Sequence, residues 1–169
     1  MNVYDWKIAS HPPKKTKDWL ITTLAKNRGL KTKKDLDEFL NPKFEQILSV
    51  KVSDITKAIA RIDKAIKAGE KIIVYSDYDA DGICATAIAW ETLHDLGADV
   101  MPYVPDRVKE GYGLSTGAIS ELAKRGVKLI VTVDHGVTAT KQVDFAKKLG
   151  IDVVIPDHHL LPEKLPRAY

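Results

Sequence analysis

The sequence predicts an α/β fold, a parallel sheet with βαβ crossovers preceded by a small helical N-terminal segment. Three observations carry this reading. From residue 53 onward, short β-branched apolar runs alternate with helical stretches of roughly ten to fourteen residues, the signature of βαβ units. The runs are almost continuously apolar, as strands covered by helices on both faces require. The first fifty residues show only short helical patterns between prolines and lysine clusters.

Within residues 1–50, Trp19, Leu20 and Leu24, and then Leu36, Phe39 and Leu40, have spacings that suit two short helices. Asn41-Pro42 stops the second, because the residue before proline avoids the helical region. Ile55, Ile59, Ile62 and Ile66 then mark one apolar helix face, with Ser53 as the expected N-cap and Gly69 as the stop. The first strand is Ile72–Tyr75. A helix over 83–96 ends at Gly97, and a second strand covers 99–104. Pro102 cannot donate to a ladder, so that strand should lie at an edge or carry a bulge. A helix over 115–125, a strand over 129–133, a helix over 138–149 and a strand over 153–155 complete the series.

The chain has 169 residues, 44% hydrophobic and 29% charged. That mixture excludes a disordered chain, and no apolar run approaches the roughly 18–20 residues of a membrane span. No basic segment followed by an apolar core opens the chain, so no signal peptide is expected. Cys84 is the only cysteine, which excludes an internal disulfide and a multi-cysteine zinc site and points to a reducing cytoplasm. It reads as a small packing residue. Net charge is +3, too small to argue for nucleic acid by itself. Lysines do cluster at Lys14, Lys15 and Lys17, at Lys31, Lys33 and Lys34, and at Lys147 and Lys148. His11 and His94 read as ordinary histidines.

The informative residues follow the strands. Asp77-Tyr78-Asp79-Ala80-Asp81-Gly82 follows the first, Asp106 to Gly113 the second, Asp134-His135-Gly136 the third and Asp157-His158-His159 the fourth. In a parallel sheet these ends share one side, where α/β proteins bind ligands. Clustered carboxylates repel, and a divalent cation removes that repulsion. Carboxylates with imidazoles suit Mn²⁺ or Mg²⁺. The acids suffice for two ions sharing a bridging carboxylate, an arrangement suited to phosphoester hydrolysis. An EF-hand is disfavoured, since its twelfth position would be Ile88 and a strand precedes the loop. Gly111-Tyr112-Gly113 lacks the third glycine of a dinucleotide fingerprint, which would fall at Thr116. The same loop can grip phosphate, through the planar fork of Arg107 and backbone N–H groups at Gly111 and Gly113.

Asp77–Gly82, Val133-Asp134-His135-Gly136 and Asp157-His158-His159 resemble the first three motifs of the DHH phosphoesterase superfamily. The segment Pro105–Leu114 resembles the signature loop of the RecJ family within it, as does the stretch from Trp19 through Pro42 to Ile62. The resemblance implies a DHH domain over 51–169 and 5′→3′ exonuclease action on single-stranded DNA in repair and recombination, with two Mn²⁺ or Mg²⁺ ions. It implies Asp79 and Asp81 as ligands, one for each ion, Asp134 as the bridge, His158 as a ligand and Asp77 as an outer ligand. His159 would face the scissile phosphate, and Asp157 would orient the histidines or bind metal directly. Arg107, Gly111, Gly113 and His135 would contact substrate. The DNA surface would combine the lysine clusters with stacking aromatic residues, and a single-strand-binding protein or a helicase is an expected partner.

Three departures stand out. Some superfamily members carry a ligand histidine where Tyr75 stands, and RecJ-like chains often carry Cys or Asn where His135 stands. The family's fourth-motif Asp and its second domain lie beyond Tyr169, so the chain is expected to be a fragment. The alternative readings are a DHH phosphoesterase for oligoribonucleotides or small nucleotide phosphates, and a non-catalytic DHH binding module.

Overall fold

A computed structural model describes residues 18–48 and 50–169. Lys14, Lys15, Lys17 and His11 fall outside them. Two units separate at Val52/Ser53. The first contains helices α1 (Trp19–Asn27), α2 (Lys33–Leu40) and α3 (Phe44–Leu48). Thr32 and Asp35 cap α2 reciprocally, each side chain accepting from the other's backbone N–H. The helix ends at Leu40, just before Asn41-Pro42.

The second unit is the α/β body. It begins with α4 (Ile55–Lys67), followed by β1 (Lys71–Tyr75), α5 (Ala80–Asp95), β2 (Val100–Tyr103), α6 (Thr116–Lys124), β3 (Val127–Thr132), α7 (Thr140–Lys148) and β4 (Asp152–Val154). The four strands are all parallel in the order β2-β1-β3-β4. Pro102 therefore sits on the edge strand β2, paired with Val74, as its missing donor requires. Alternate residues of each strand serve opposite faces. Ile73, Tyr75, Ile130 and Val153 pack with Ile119 and Leu122 of α6 and Val143 of α7. Ile72, Val74, Leu129 and Val131 pack with Ala65 of α4 and Leu93 of α5. Fully burying each large aliphatic side chain contributes roughly 1.5–3 kcal/mol.

Several local expectations need correction. Ser53 does not cap α4. The N-cap is Asp54, at φ 55° and without a side-chain hydrogen bond. The isoleucine stripe of α4 is only partly covered: Ile55 and Ile59 are exposed, whereas Arg61 and Ala65 are buried. Arg61 tolerates burial because two of its three guanidinium nitrogens are paired, Nε donating to Asp152 at 2.6 Å and Nη2 to Glu70 at 2.8 Å, while Nη1 has no partner. Cys84 is exposed rather than packed, because the inner face of α5 consists of Gly82, Ala85, Thr86, Ala89 and Leu93. Helix α5 also starts at Ala80 instead of Ile83, which places Asp81 and Gly82 on its first turn. No helix among the described residues is long and apolar enough to cross a membrane.

Candidate metal centre

The strand order places β1 and β3 side by side, while α5 carries the chain outward to β2 and α6 returns it past β1 to β3. The crevice at the carboxyl ends of β1 and β3 is the topological switch point of the sheet. Asp77 and Asp79 reach it from β1, and Asp134 from β3. The two strand ends are tied together: Val133 N–H donates to the Tyr75 carbonyl at 3.0 Å, and His135 Nε2 lies 3.0 Å from the same oxygen.

Glycine sets the approach of the surrounding segments. Gly82 is the third residue of α5, and a Cβ there would lie 2.7 Å from Asp77 Cβ and 2.8 Å from the Asp77 carbonyl oxygen. Only a glycine lets the helix start this close to the first carboxylate. Asp79 is the α5 N-cap, its Oδ1 accepting from Gly82 N–H at 2.9 Å, so one oxygen anchors the helix and the other stays available. Gly136 stands at φ +119°, where a Cβ would lie 2.9 Å from Thr132 Oγ1 and 3.1 Å from Ile155 Cγ2. Asp134 itself adopts the left-handed conformation at φ 62°, a strain of about 1 kcal/mol or more that aims its side chain into the crevice.

Two three-residue groups have ligand atoms mutually within 4.8 Å: Asp77, Asp79 and Asp134, and Asp134, His158 and His159. Asp134 belongs to both, with His158 Nε2 2.9 Å from its Oδ1. The donor sets, three carboxylates in one group and a carboxylate with two imidazoles in the other, fit hard or borderline divalent cations. Asp81 lies outside both groups, exposed and 3.9 Å from His158 Nε2.

Asp157 has a buried side chain whose two oxygens are both engaged. Oδ2 accepts from Val137 N–H at 2.8 Å; Oδ1 accepts from His159 N–H at 3.1 Å and lies 2.7 Å from His159 Nδ1. It therefore fixes the His159 ring through Nδ1, leaving Nε2 as the nitrogen not engaged by Asp157. Burial raises the Asp157 pKa, but hydrogen bonds from Val137 and His159 outweigh it and the net shift is downward. The same pairing raises the pKa of His159. Burial lowers that of His135, whose Nδ1 has no partner.

Arg107 and Gly111 lie in the loop after β2. Asp106 Oδ1 accepts from Val108 and Lys109 N–H, and Glu110 Oε1 accepts from Asp106 N–H. The Arg107 guanidinium carbon sits 5.1 Å from the Tyr78 ring centroid. Gly113 backs onto His135, where a Cβ would stand 3.8 Å from Nδ1. The sequence reading missed Tyr78 and Tyr112, whose rings meet at 6.5 Å beside the carboxylates. The signal for Tyr112 was its position between two glycines. The reading also missed the steric roles of Gly82 and Gly136, which depend on contacts across the crevice.

Comparison with known proteins identifies the family. Residues 71–169 match the DHH family, N-terminal domain, and the chain belongs to that family. It is 40% identical over 148 residues to the single-stranded-DNA-specific exonuclease RecJ of Bacillus subtilis, covering 87% of this chain and 19% of that protein. The Escherichia coli protein of the same name is 35% identical over 150 residues, covering 88% and 26%. A crystal structure of exonuclease RecJ bound to manganese matches with a TM-score of 0.66 and 34% identity, over 70% of this chain and 31% of that one. The chain thus spans between a fifth and about a quarter of the length of these curated relatives.

Proposed function

We propose that this chain forms the metal-holding part of a divalent-metal-dependent 5′→3′ exonuclease that hydrolyses single-stranded DNA in repair and recombination. The observation that carries this is Asp134, shared by two ligand groups at the sheet's switch point. Asp77, Asp79 and Asp134 would hold one ion, and Asp134, His158 and His159 the other. Bound there, Mn²⁺ or Mg²⁺ would supply an activated water at neutral pH and neutralise charge on the phosphate. The remaining work belongs to the protein. Asp157 holds the His159 ring through Nδ1, in the group where His159 stands with Asp134 and His158. Arg107 offers a two-pronged donor to substrate phosphate, and Asp81, next to His158, is an outer carboxylate of the second group. The relatives named above, all RecJ single-strand exonucleases, support the substrate class.

The test is hydrolysis of a long 5′-phosphorylated single strand, a duplex and a dinucleotide, each with Mn²⁺. The expected result is nucleotide release from the single strand that Asp134→Asn abolishes. Preferential cleavage of the dinucleotide would transfer the site to small substrates. Binding of DNA and Mn²⁺ without any cleavage would favour a non-catalytic module.

A further inference from the structure

Both neighbours of Asp134 are hydrogen-bonded to the same oxygen. Val133 N–H donates to the Tyr75 carbonyl at 3.0 Å, and His135 Nε2 lies 3.0 Å from that carbonyl. The residue spanned by these two bonds is Asp134, which among the members of the two ligand groups is the one with a left-handed backbone, at φ 62°. The Val133 bond extends the β1–β3 ladder one step past Thr132, and the imidazole bond closes the turn behind the carboxylate. A carbonyl only accepts, so Nε2 carries the ring proton, and the buried Nδ1 is a bare acceptor without a partner. His135 is 1% exposed. The Tyr75 ring packs edge-on against it at 5.4 Å, and Gly113 backs the Nδ1 side. Too deep to touch a substrate, the ring gives its one N–H to the backbone of the neighbouring strand.

We propose that His135 is a positioning residue: clamped to the Tyr75 carbonyl, it holds Asp134 in the left-handed conformation that presents one carboxylate to both ligand groups. This rests on the metal-centre reading above and gives His135 a role other than substrate contact. A left-handed aspartate persists only where its surroundings over-determine it, and the Val133 bond alone fixes only the entering side of the turn. The same oxygen sets a second distance that the centre needs. Asp77 lies two residues beyond Tyr75, so the clamp fixes Asp134 relative to Asp77 as well as to His158, whose Nε2 stands 2.9 Å from Asp134 Oδ1. Losing the clamp therefore weakens the hold on both ions, because Asp134 is common to both groups.

The test is Mn²⁺ calorimetry on the 169-residue chain and two variants of it. His135→Leu keeps apolar bulk without the donor, and it leaves no orphaned carbonyl because Val133 still reaches Tyr75. His135→Gln restores an N–H at about the reach of Nε2. The expected result is affinity roughly 10–100-fold weaker at both ions in His135→Leu and close to wild type in His135→Gln. In the cation-free wild type, imidazole nitrogen NMR at neutral pH should show the His135 ring with its single proton on Nε2, its signals identified by their loss in His135→Gln. A His135→Leu chain that binds as tightly as wild type, or a His135→Gln chain as weak as His135→Leu, overturns the clamp and leaves the metal centre standing. A ring proton on Nδ1 overturns it too, and that measurement stands even where His135→Leu fails to fold. A wild-type chain that binds no Mn²⁺ overturns the metal-centre reading and this role of His135 together.

Discussion

Replacing Gly82 by alanine should damage cation binding far more than it damages the fold. Two effects oppose each other in stability. Gly82 is helical, and alanine there gains about 1 kcal/mol of helix propensity. Its Cβ would sit 2.7 Å from Asp77 Cβ and 2.8 Å from the Asp77 carbonyl oxygen, and overpacking of that kind costs about 1–3 kcal/mol. The net loss is therefore roughly 0–2 kcal/mol, so the variant folds. To reach an ordinary carbon–carbon separation of about 3.5–4.0 Å, α5 and the Asp77 segment must part by about 1 Å. Metal–ligand distances tolerate only about 0.2 Å. Asp77 stands on one side of that displacement and Asp79, the α5 N-cap, on the other, so their shared ion should bind roughly 10–100-fold more weakly. Urea unfolding and Mn²⁺ calorimetry on the same sample read the two effects separately. A variant about 1 kcal/mol more stable than wild type, with unchanged Mn²⁺ affinity, would refute the close-approach reasoning.

Arg61→Met should destabilise the α/β unit by less than the roughly 3–5 kcal/mol of breaking a fully buried ion pair, because the side chain of Asp152 is 40% exposed and can rehydrate; equal unfolding midpoints would show the Arg61–Asp152–Glu70 contact to be idle. In the cation-free protein, the NMR titration midpoint of His159 should lie above its ordinary value of 6.5 and fall back in Asp157→Asn. The sign follows from linkage: a raised folded pKa gives stability complete below pH 6.5 and lost as pH rises through the folded value. The depressed Asp157 pKa works the other way, its contribution complete above 3.8 and lost as pH falls through the lower folded value. A His159 midpoint insensitive to Asp157→Asn would break the pairing.

Much of this was legible before any coordinates. Alternation of apolar runs with helical stretches located all four strands to within two residues, and Pro102 correctly marked β2 as an edge. Acid at every strand end placed the crevice, because a parallel sheet gathers those ends on one side. What sequence could not show was three-dimensional distance. Asp77, Asp79 and Asp81 alternate in sequence as equals. The turn into α5 then makes Asp79 a helix cap, leaves Asp81 exposed and brings Asp77 to the group with Asp134. Ser53 looked like a cap by residue type, but capping depends on backbone geometry, and Asp54 takes the position at positive φ. Cys84 looked like core by residue type, but the phase of α5 turns it outward.

The most direct test of the shared-ligand account is a Mn²⁺ titration of three chains by calorimetry. Wild type should bind two ions. Asp79→Asn should lose one, since Asp79 belongs to one group, and Asp134→Asn should lose both, since Asp134 belongs to each. An Asp134→Asn chain that remains folded and keeps one ion, as Asp79→Asn does, would contradict a centre built around Asp134.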